Sequence, residues 1–346
     1  DGYNDKQLLL LTRLLEVIDN PEFDPERDDN IRRDMIRALQ NTVAKRPSSQ
    51  VMADLREALW HGEWDEQALI AALEEADMES MLAYAQGFWD GATAEVLVYG
   101  NHEEAAVQRL SGMLDSVVPA GSSPALPGAR VVKLGAGENL QYAVDVPHDD
   151  AVVAWYLQGE ADTWDDRAAT ALTAQIMKSS FFQQLRTEPQ LGYIVSAFNW
   201  PQMDVPGLVL LIQSPRVDAA EIVSRIEAYL LGVVPDLDAE QYARHQAALV
   251  SDILRPDKNL RERADFYWQS IARRQQDFDG RQALADAVEA LSLEDWTAYF
   301  QRVFMRQRHD LQVVAPGSSE ILPAVEGSSY TDAGSVKEGR PVYHIR

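Results

Sequence analysis

Hydrophobic positions in roughly the first ninety residues recur at helical spacing, whereas many of those after residue 129 fall in short continuous or alternating runs. The opening stretch DGYNDKQLLLLTRLLEVIDN sets Leu8, Leu11, Leu15 and Ile18 on one stripe behind Asn4, a residue suited to capping a helix. Residues 4–90 read as helical, and AEVLVYG (94–100) then reads as one buried strand. Further on, ARVVKL, LQYAVDV and AVVAWYLQG predict strands. Thr163 opens a long helix, LGYIVSAFNW and GLVLLIQS predict two more strands, helices fill 218 to about 305, and DLQVVA closes the series. Strands that mostly adjoin one another, with a block of helices behind them, predict an α+β fold in which a mixed or antiparallel sheet packs against helices.

Charge and periodicity both lapse in VPAGSSPALPGARV, which begins at residue 118, and this sets the expected boundaries: a mostly helical first domain over 1–117, a linker over 118–130 and an α+β domain with a C-terminal tail over 131–346. The two domains resemble each other. At an offset of 215 residues, Asp77 falls on Ser292 as a helix cap, Met81 on Trp296, Tyr84 on Tyr299, Trp89 on Phe304, Val96 on Leu311 and Val98 on Val313. A duplicated helix-then-strand unit is the expectation. The first copy lacks the strands that precede the helices of the second, so the first domain is expected to be truncated at its N-terminal side. The tail from Pro316, rich in Gly and Ser, is open between packing on the other half of the protein and hanging free.

Composition narrows the function classes. The chain has 346 residues, 46% of them hydrophobic, and 31 Lys and Arg against 55 Asp and Glu give a formal charge of −24. So negative a chain repels phosphate backbones and anionic membrane surfaces, which argues against nucleic-acid and membrane partners. No run approaches the roughly 20 apolar residues a membrane-spanning helix needs. Cysteine is absent, which excludes disulfides, thiolate ligands and thiol nucleophiles and suits a cytosol or a bacterial periplasm equally.

Several catalytic patterns are missing. A helical zinc peptidase needs two His four residues apart, with a Glu to activate the metal-bound water. Only His102 is followed by Glu, and Ala106 fills the second His position; no His follows a Glu, so the inverted order is absent too. His61, His148, His245, His309 and His344 are scattered, and no metal site is expected in this chain. The phosphate-cradling G-x-x-x-x-G-K-[ST] loop and the G-x-S-x-G elbow do not occur. Acid pairs such as those in DDRAAT and PHDDA read as solvated faces and helix caps.

SSFFQQLRTEPQLGYIV (179–195) stands apart. Met177, Phe181 and Leu185 form a core stripe on a helix expected to reach about Thr187, with Arg186 in its last turn. Pro189 disfavours helix at Glu188, so a strand is expected from Leu191, with Leu191, Tyr193 and Val195 on one face and Ile194 on the other. From spacing alone, Arg186 is a helix-terminal charge and Tyr193 a sheet aromatic.

GYNDKQLLLL (2–11), FFQQLRTEPQLGYIV (181–195), GLVLLIQS (207–214) and the LRPDKNL to FDGR region (254–281) resemble the C-terminal half of the pitrilysin and insulysin family of zinc metallopeptidases, over nearly the whole chain. The resemblance implies two related α+β domains, the third and fourth of four, in an enzyme whose halves close like a clamshell around a chamber. Zinc would be held by the His-x-x-Glu-His motif of the N-terminal half, which would be this chain's partner, and peptides would be the substrates. By position, Arg186 and Tyr193 match family residues that reach toward the substrate at the zinc centre, and Phe182, one turn earlier, fits a side-chain pocket or the core equally. Pro189 stands where the family often has a charged residue. Alone, such a chain is expected to be inactive. The other reading is an inert scaffold, as the core subunits of the respiratory bc1 complex resemble peptidase halves. For a bacterial source the family implies periplasm ahead of cytosol.

Overall fold

The computed structural model describes residues 4–345 except 20, 42–45, 89–91, 116, 117, 119–127, 188–190 and 276. Six helices and a short strand come first: α1 (Asn4–Asp19), α2 (Pro25–Gln40), α3 (Pro47–Leu59), β1 (Trp60–His61), α4 (Glu66–Glu75), α5 (Met78–Gln86) and α6 (Glu104–Asp115). Three strands follow, β2 (Ala129–Val132), β3 (Leu140–Ala143) and β4 (Ala151–Gln158), then α7 (Trp164–Phe182), β5 (Ile194–Asn199) and β6 (Gly207–Ser214). Helices α8 (Ala219–Gly232), α9 (Ala239–Ile253), α10 (Leu260–Ala272), α11 (Gly280–Ala290) and α12 (Leu293–Tyr299) lead to β7 (His309–Ala315), β8 (Ser329–Tyr330), α13 (Ala333–Lys337) and β9 (Val342–Ile345). Among the described residues, no helix is long and apolar enough to cross a membrane.

The chain folds into two compact units, one of residues 1–41, 66–128 and 257–272 and the other of 42–65, 129–256 and 273–346. These boundaries differ from those expected in the sequence. Helix α3 belongs to the second unit because Val51, Leu55, Ala58 and Leu59 are fully buried on the sheet, against β4, β6 and β7. Helix α10 belongs to the first, where Tyr267 meets Tyr99 edge to face, their ring centroids 5.2 Å apart. Within that unit Arg32 of α2 donates to the carbonyls of Leu73 and Glu74 in α4.

The second unit is built on a six-stranded sheet in the order β5-β6-β4-β7-β3-β8. Neighbours from β5 to β7 run antiparallel, and β3 runs parallel to both β7 and β8, so the sheet is mixed as expected. Alternation along each strand sends side chains into two cores. Val153, Trp155, Leu157, Leu208, Leu210 and Ile212 pack with α7 and α8, whereas Val152, Ala154, Tyr156, Val209 and Leu211 pack with α3 and α13. Burial on both faces is why β4 and β6 read as continuous apolar runs. A smaller antiparallel sheet, β1-β2-β9, sits apart from the main one.

The helix half of the expected repeat is present. Asp77 accepts the Ser80 N–H at 2.8 Å and caps α5, and Ser292 accepts the Asp295 N–H at 3.0 Å and caps α12. The strand half is not: residues 92–99 follow no ladder, and Val96 and Tyr99 are exposed. A strand needs a neighbour for its backbone groups, and among the described residues none lies beside this run. Trp89 and most of the expected linker lie outside the described residues. The tail packs on its own unit, through the pairing of β8 with β3 and of β9 with β2 and through the buried Ala333 and Val336.

Candidate functional site

Thr163 caps α7, accepting the Asp166 N–H, and Met177, Phe181 and Leu185 line the buried side of the helix as the spacing predicts. The helix ends in a π-turn, Gln183–Thr187. Such a wide turn advances the side chains by one extra position, and π-bulges are often found at functional sites. Here it keeps Leu185 in the core while Arg186 is exposed. The Arg186 guanidinium carbon lies 4.8 Å from the centroid of the Phe182 ring, a cation–π contact worth about 0.5–1 kcal/mol at an exposed site. Phe182 is 39% exposed and is therefore not a core residue, one of its two expected places. Among the described residues Arg186 has no carboxylate partner.

The turn at Glu188 and Pro189 lies outside the described residues. The chain returns at Leu191, whose N–H donates to the Leu185 carbonyl at 3.3 Å and whose carbonyl accepts from the Ser214 hydroxyl. Gly192 is forced by close approach: a Cβ there would stand 2.1 Å from the Gln213 carbonyl oxygen.

Tyr193 departs from the sequence expectation. It occupies the bend ahead of β5, and its side chain does not share a face with Leu191 and Val195, which are buried in the α7 core. Its hydroxyl donates to Asp150 Oδ2 at 2.7 Å and accepts from Gln213 Nε2. Gln213 Nε2 also donates to Asp150 Oδ2 at 2.9 Å, and Gln213 Oε1 accepts the Ser48 N–H at 3.1 Å. Asp150 is buried, with its N–H donating to His148 Nδ1 at 3.0 Å. Partial burial, then the hydrogen bond and the negative charge of Asp150, push the phenol above its ordinary pKa and hold it neutral. The ring is nevertheless 49% exposed.

The structure therefore joins Phe182 to Arg186 and leaves Tyr193 in a separate network; among the described residues no hydrogen bond or ring contact links it to the other two. Asp150 is the residue sequence reasoning missed. Its pair in PHDDA read as solvated, although its place one residue before a fully buried strand was a usable sign. Gln213, likewise buried, is a polar end to the apolar run GLVLLIQS. Among the described residues no group of three or more His, Asp or Glu is arranged to hold a metal ion. The described residues therefore offer zinc no set of ligands.

The arrangement is an exposed cation and a half-exposed phenol at the end of a sheet-packed helix in a two-unit α+β fold. That fold is shared with pitrilysin, whose crystal structure matches all of this chain and 38% of its own at a TM-score of 0.90 and 20% identity. A protein from Pseudomonas fluorescens described as a peptidase M16 inactive domain matches 92% of the chain and 77% of its own, at a TM-score of 0.62 and 12% identity. By sequence, residues 1–72 match the middle or third domain of peptidase M16, and residues 172–268 match the C-terminal lobe domain 4 of PQQ synthase PqqF-like proteins. Insulin-degrading enzyme of Drosophila melanogaster is 25% identical over 352 residues, covering 99% of this chain and 35% of that protein. The human enzyme is 27% identical over 327 residues, covering 90% and 32%. The chain thus spans about a third of the curated relatives it matches. Together these findings make the chain similar, in sequence and in fold, to the C-terminal half of insulinase-family peptidases.

Proposed function

We propose that this chain is the chamber-closing, substrate-binding half of a zinc endopeptidase, acting on peptides held against a metal centre carried by its N-terminal counterpart. The observation that carries the reading is Arg186, exposed, seated on Phe182 and without a carboxylate partner among the described residues. A guanidinium left open in this way can donate to a scissile carbonyl or to the oxyanion that develops from it. Tyr193 has the same donor chemistry, but its proton is engaged with Asp150, so it reaches a substrate only by exchanging that partner. Its half-exposed ring serves as an apolar wall in the meantime. Phe182 holds the guanidinium in place and offers its own ring edge to a substrate side chain. Periplasm remains the proposed compartment for a bacterial source.

The test is reconstitution. This chain with added zinc is expected to leave a fluorogenic peptide intact, and mixing with the N-terminal counterpart is expected to produce cleavage. Arg186→Ala should then lower the cleavage rate by about 100- to 1,000-fold, the usual consequence of deleting one oxyanion donor. Cleavage by the mixture that is indifferent to Arg186→Ala would remove the assigned role, and a mixture that never cleaves favours the inert-scaffold reading.

A further inference from the structure

The small sheet β1-β2-β9 has two unlike faces. On one, Trp60, Val131 and Tyr343 are paired across the three strands and pack together around Val205. On the other, His61 is paired with Arg130, and Arg130 with His344. Adjacent strands lie roughly 4.8 Å apart, so three basic side chains stand in one row about 10 Å long. The row faces an open cleft of about 570 Å³, whose remaining lining includes Lys337, Glu338 and Arg340.

Two of these cations are anchored. Lys337 Nζ donates to the Trp60 carbonyl at 3.1 Å, and Arg340 is paired with Glu138 and donates to the Tyr330 hydroxyl at 3.0 Å. The row itself is not satisfied. His61 Nε2 is buried with no hydrogen-bond partner, and among the described residues Arg130 and His344 have no carboxylate partner. Burial, then the positive charges of Arg130 and Lys337, hold the His61 imidazole below its ordinary pKa. Glu57, Glu63 and Asp65 favour the charged form of Lys337 against the effect of its burial, and its positive charge still acts on His61. In a chain of net charge −24, an arginine without a carboxylate partner among the described residues therefore stands beside a buried, unsatisfied imidazole.

We propose that the cleft between the β1-β2-β9 sheet and α13 binds a compact multivalent oxyanion of the phosphate class, with Arg130 as principal ligand and His61 and His344 on either side. A carboxylate offers two coplanar oxygens, which the fork of Arg130 alone satisfies. A tetrahedral phosphate has further oxygens to accept from an imidazole on each flank, and its higher charge is drawn more strongly to Arg130 and Lys337.

Calorimetric titration of the chain with inorganic pyrophosphate at low salt tests this, with inorganic phosphate, acetate and an acidic peptide in parallel. One saturable site for pyrophosphate is expected, with binding weakened about 10-fold or more in Arg130→Ala, less in His344→Ala, and unchanged in Arg225→Ala, whose ion pair with Glu221 lies on α8. Saturable binding of inorganic phosphate as well would mark a single phosphate group as sufficient, which supports the proposal. Circular dichroism checks that each variant is folded. Absence of a saturable site in the wild type, wild-type affinity in a folded Arg130→Ala, or acetate or the peptide binding as tightly as pyrophosphate would each overturn it.

Discussion

Tyr193 and Asp150 define the residue scale. The phenol donates a hydrogen bond to a buried carboxylate, so its availability as a donor to any other group depends on how firmly Asp150 holds it. Asp150→Asn replaces a charged acceptor by a neutral one and weakens that hold. In the reconstituted enzyme, Tyr193→Phe is expected to lower the rate if the hydroxyl acts, and Asp150→Asn should then change the rate while Asp150→Asn combined with Tyr193→Phe adds nothing to Tyr193→Phe alone. Steady-state cleavage by the four proteins gives the cycle. Gly192 is a purely structural neighbour: Gly192→Ala drives a methyl into the backbone of Gln213 and should lower stability by about 1–3 kcal/mol, read by denaturant unfolding. Asp310 is a different case, 1% exposed, with Oδ2 accepting the Trp155 indole N–H at 2.7 Å and Oδ1 unpartnered. Burial raises its pKa above the unfolded value, so the protonated form is favoured on folding. The contribution is fully present below the unfolded pKa and is lost as pH rises through the folded one. Relative to Asp310→Asn, the wild type should therefore lose stability as pH climbs from about 4, and parallel melting curves across pH would show it.

At the scale of elements, α3 and the tail carry the lesson about what could be read in advance. Strands β4, β6 and β7 and helix α7 were legible because apolar runs and a Thr163 cap are local signals. Helix α3 was legible as a helix, but its allegiance was not: burial of Leu55 and Leu59 on a sheet formed some hundred residues later is a long-range fact. Leu55→Ala is expected to destabilise the sheet unit by about 2–5 kcal/mol, and amide exchange should show β4 and β6 losing protection along with α3. The tail misled for the opposite reason. Its Gly and Ser content hides two short strands whose pairing is supplied by β2 and β3. AEVLVYG misled because apolar alternation gives a strand only where another strand lies alongside. Of the candidate site, Arg186 on its helix end was readable; the bend that turns Tyr193 onto Asp150 was not, since it depends on how closely residue 192 approaches β6.

At the scale of the whole molecule, the two units differ in how much they bury. In the first, Leu15 and Ile70 are the buried apolar side chains among the described residues, and Leu9, Leu10, Leu14, Val17 and Tyr84 are exposed. The second contains two extensive cores on either face of its sheet. Segments with little burial open at low free-energy cost, so amide exchange in α1, α2 and α5 is expected to be faster than in β4 and β6. Protection in α1 equal to that in β4 would contradict this.

The path of the backbone adds one more consequence. It passes from one unit to the other after residues 41, 65, 128, 256 and 272, so neither unit is a continuous stretch of gene. A recombination event or a designer's cut at the Pro- and Gly-rich seam would strip α3 from residues 129–346 and leave the face holding Val152, Ala154 and Tyr156 open to water. Expressed alone, that piece should aggregate, and supplying residues 46–61 as a separate peptide should rescue its solubility.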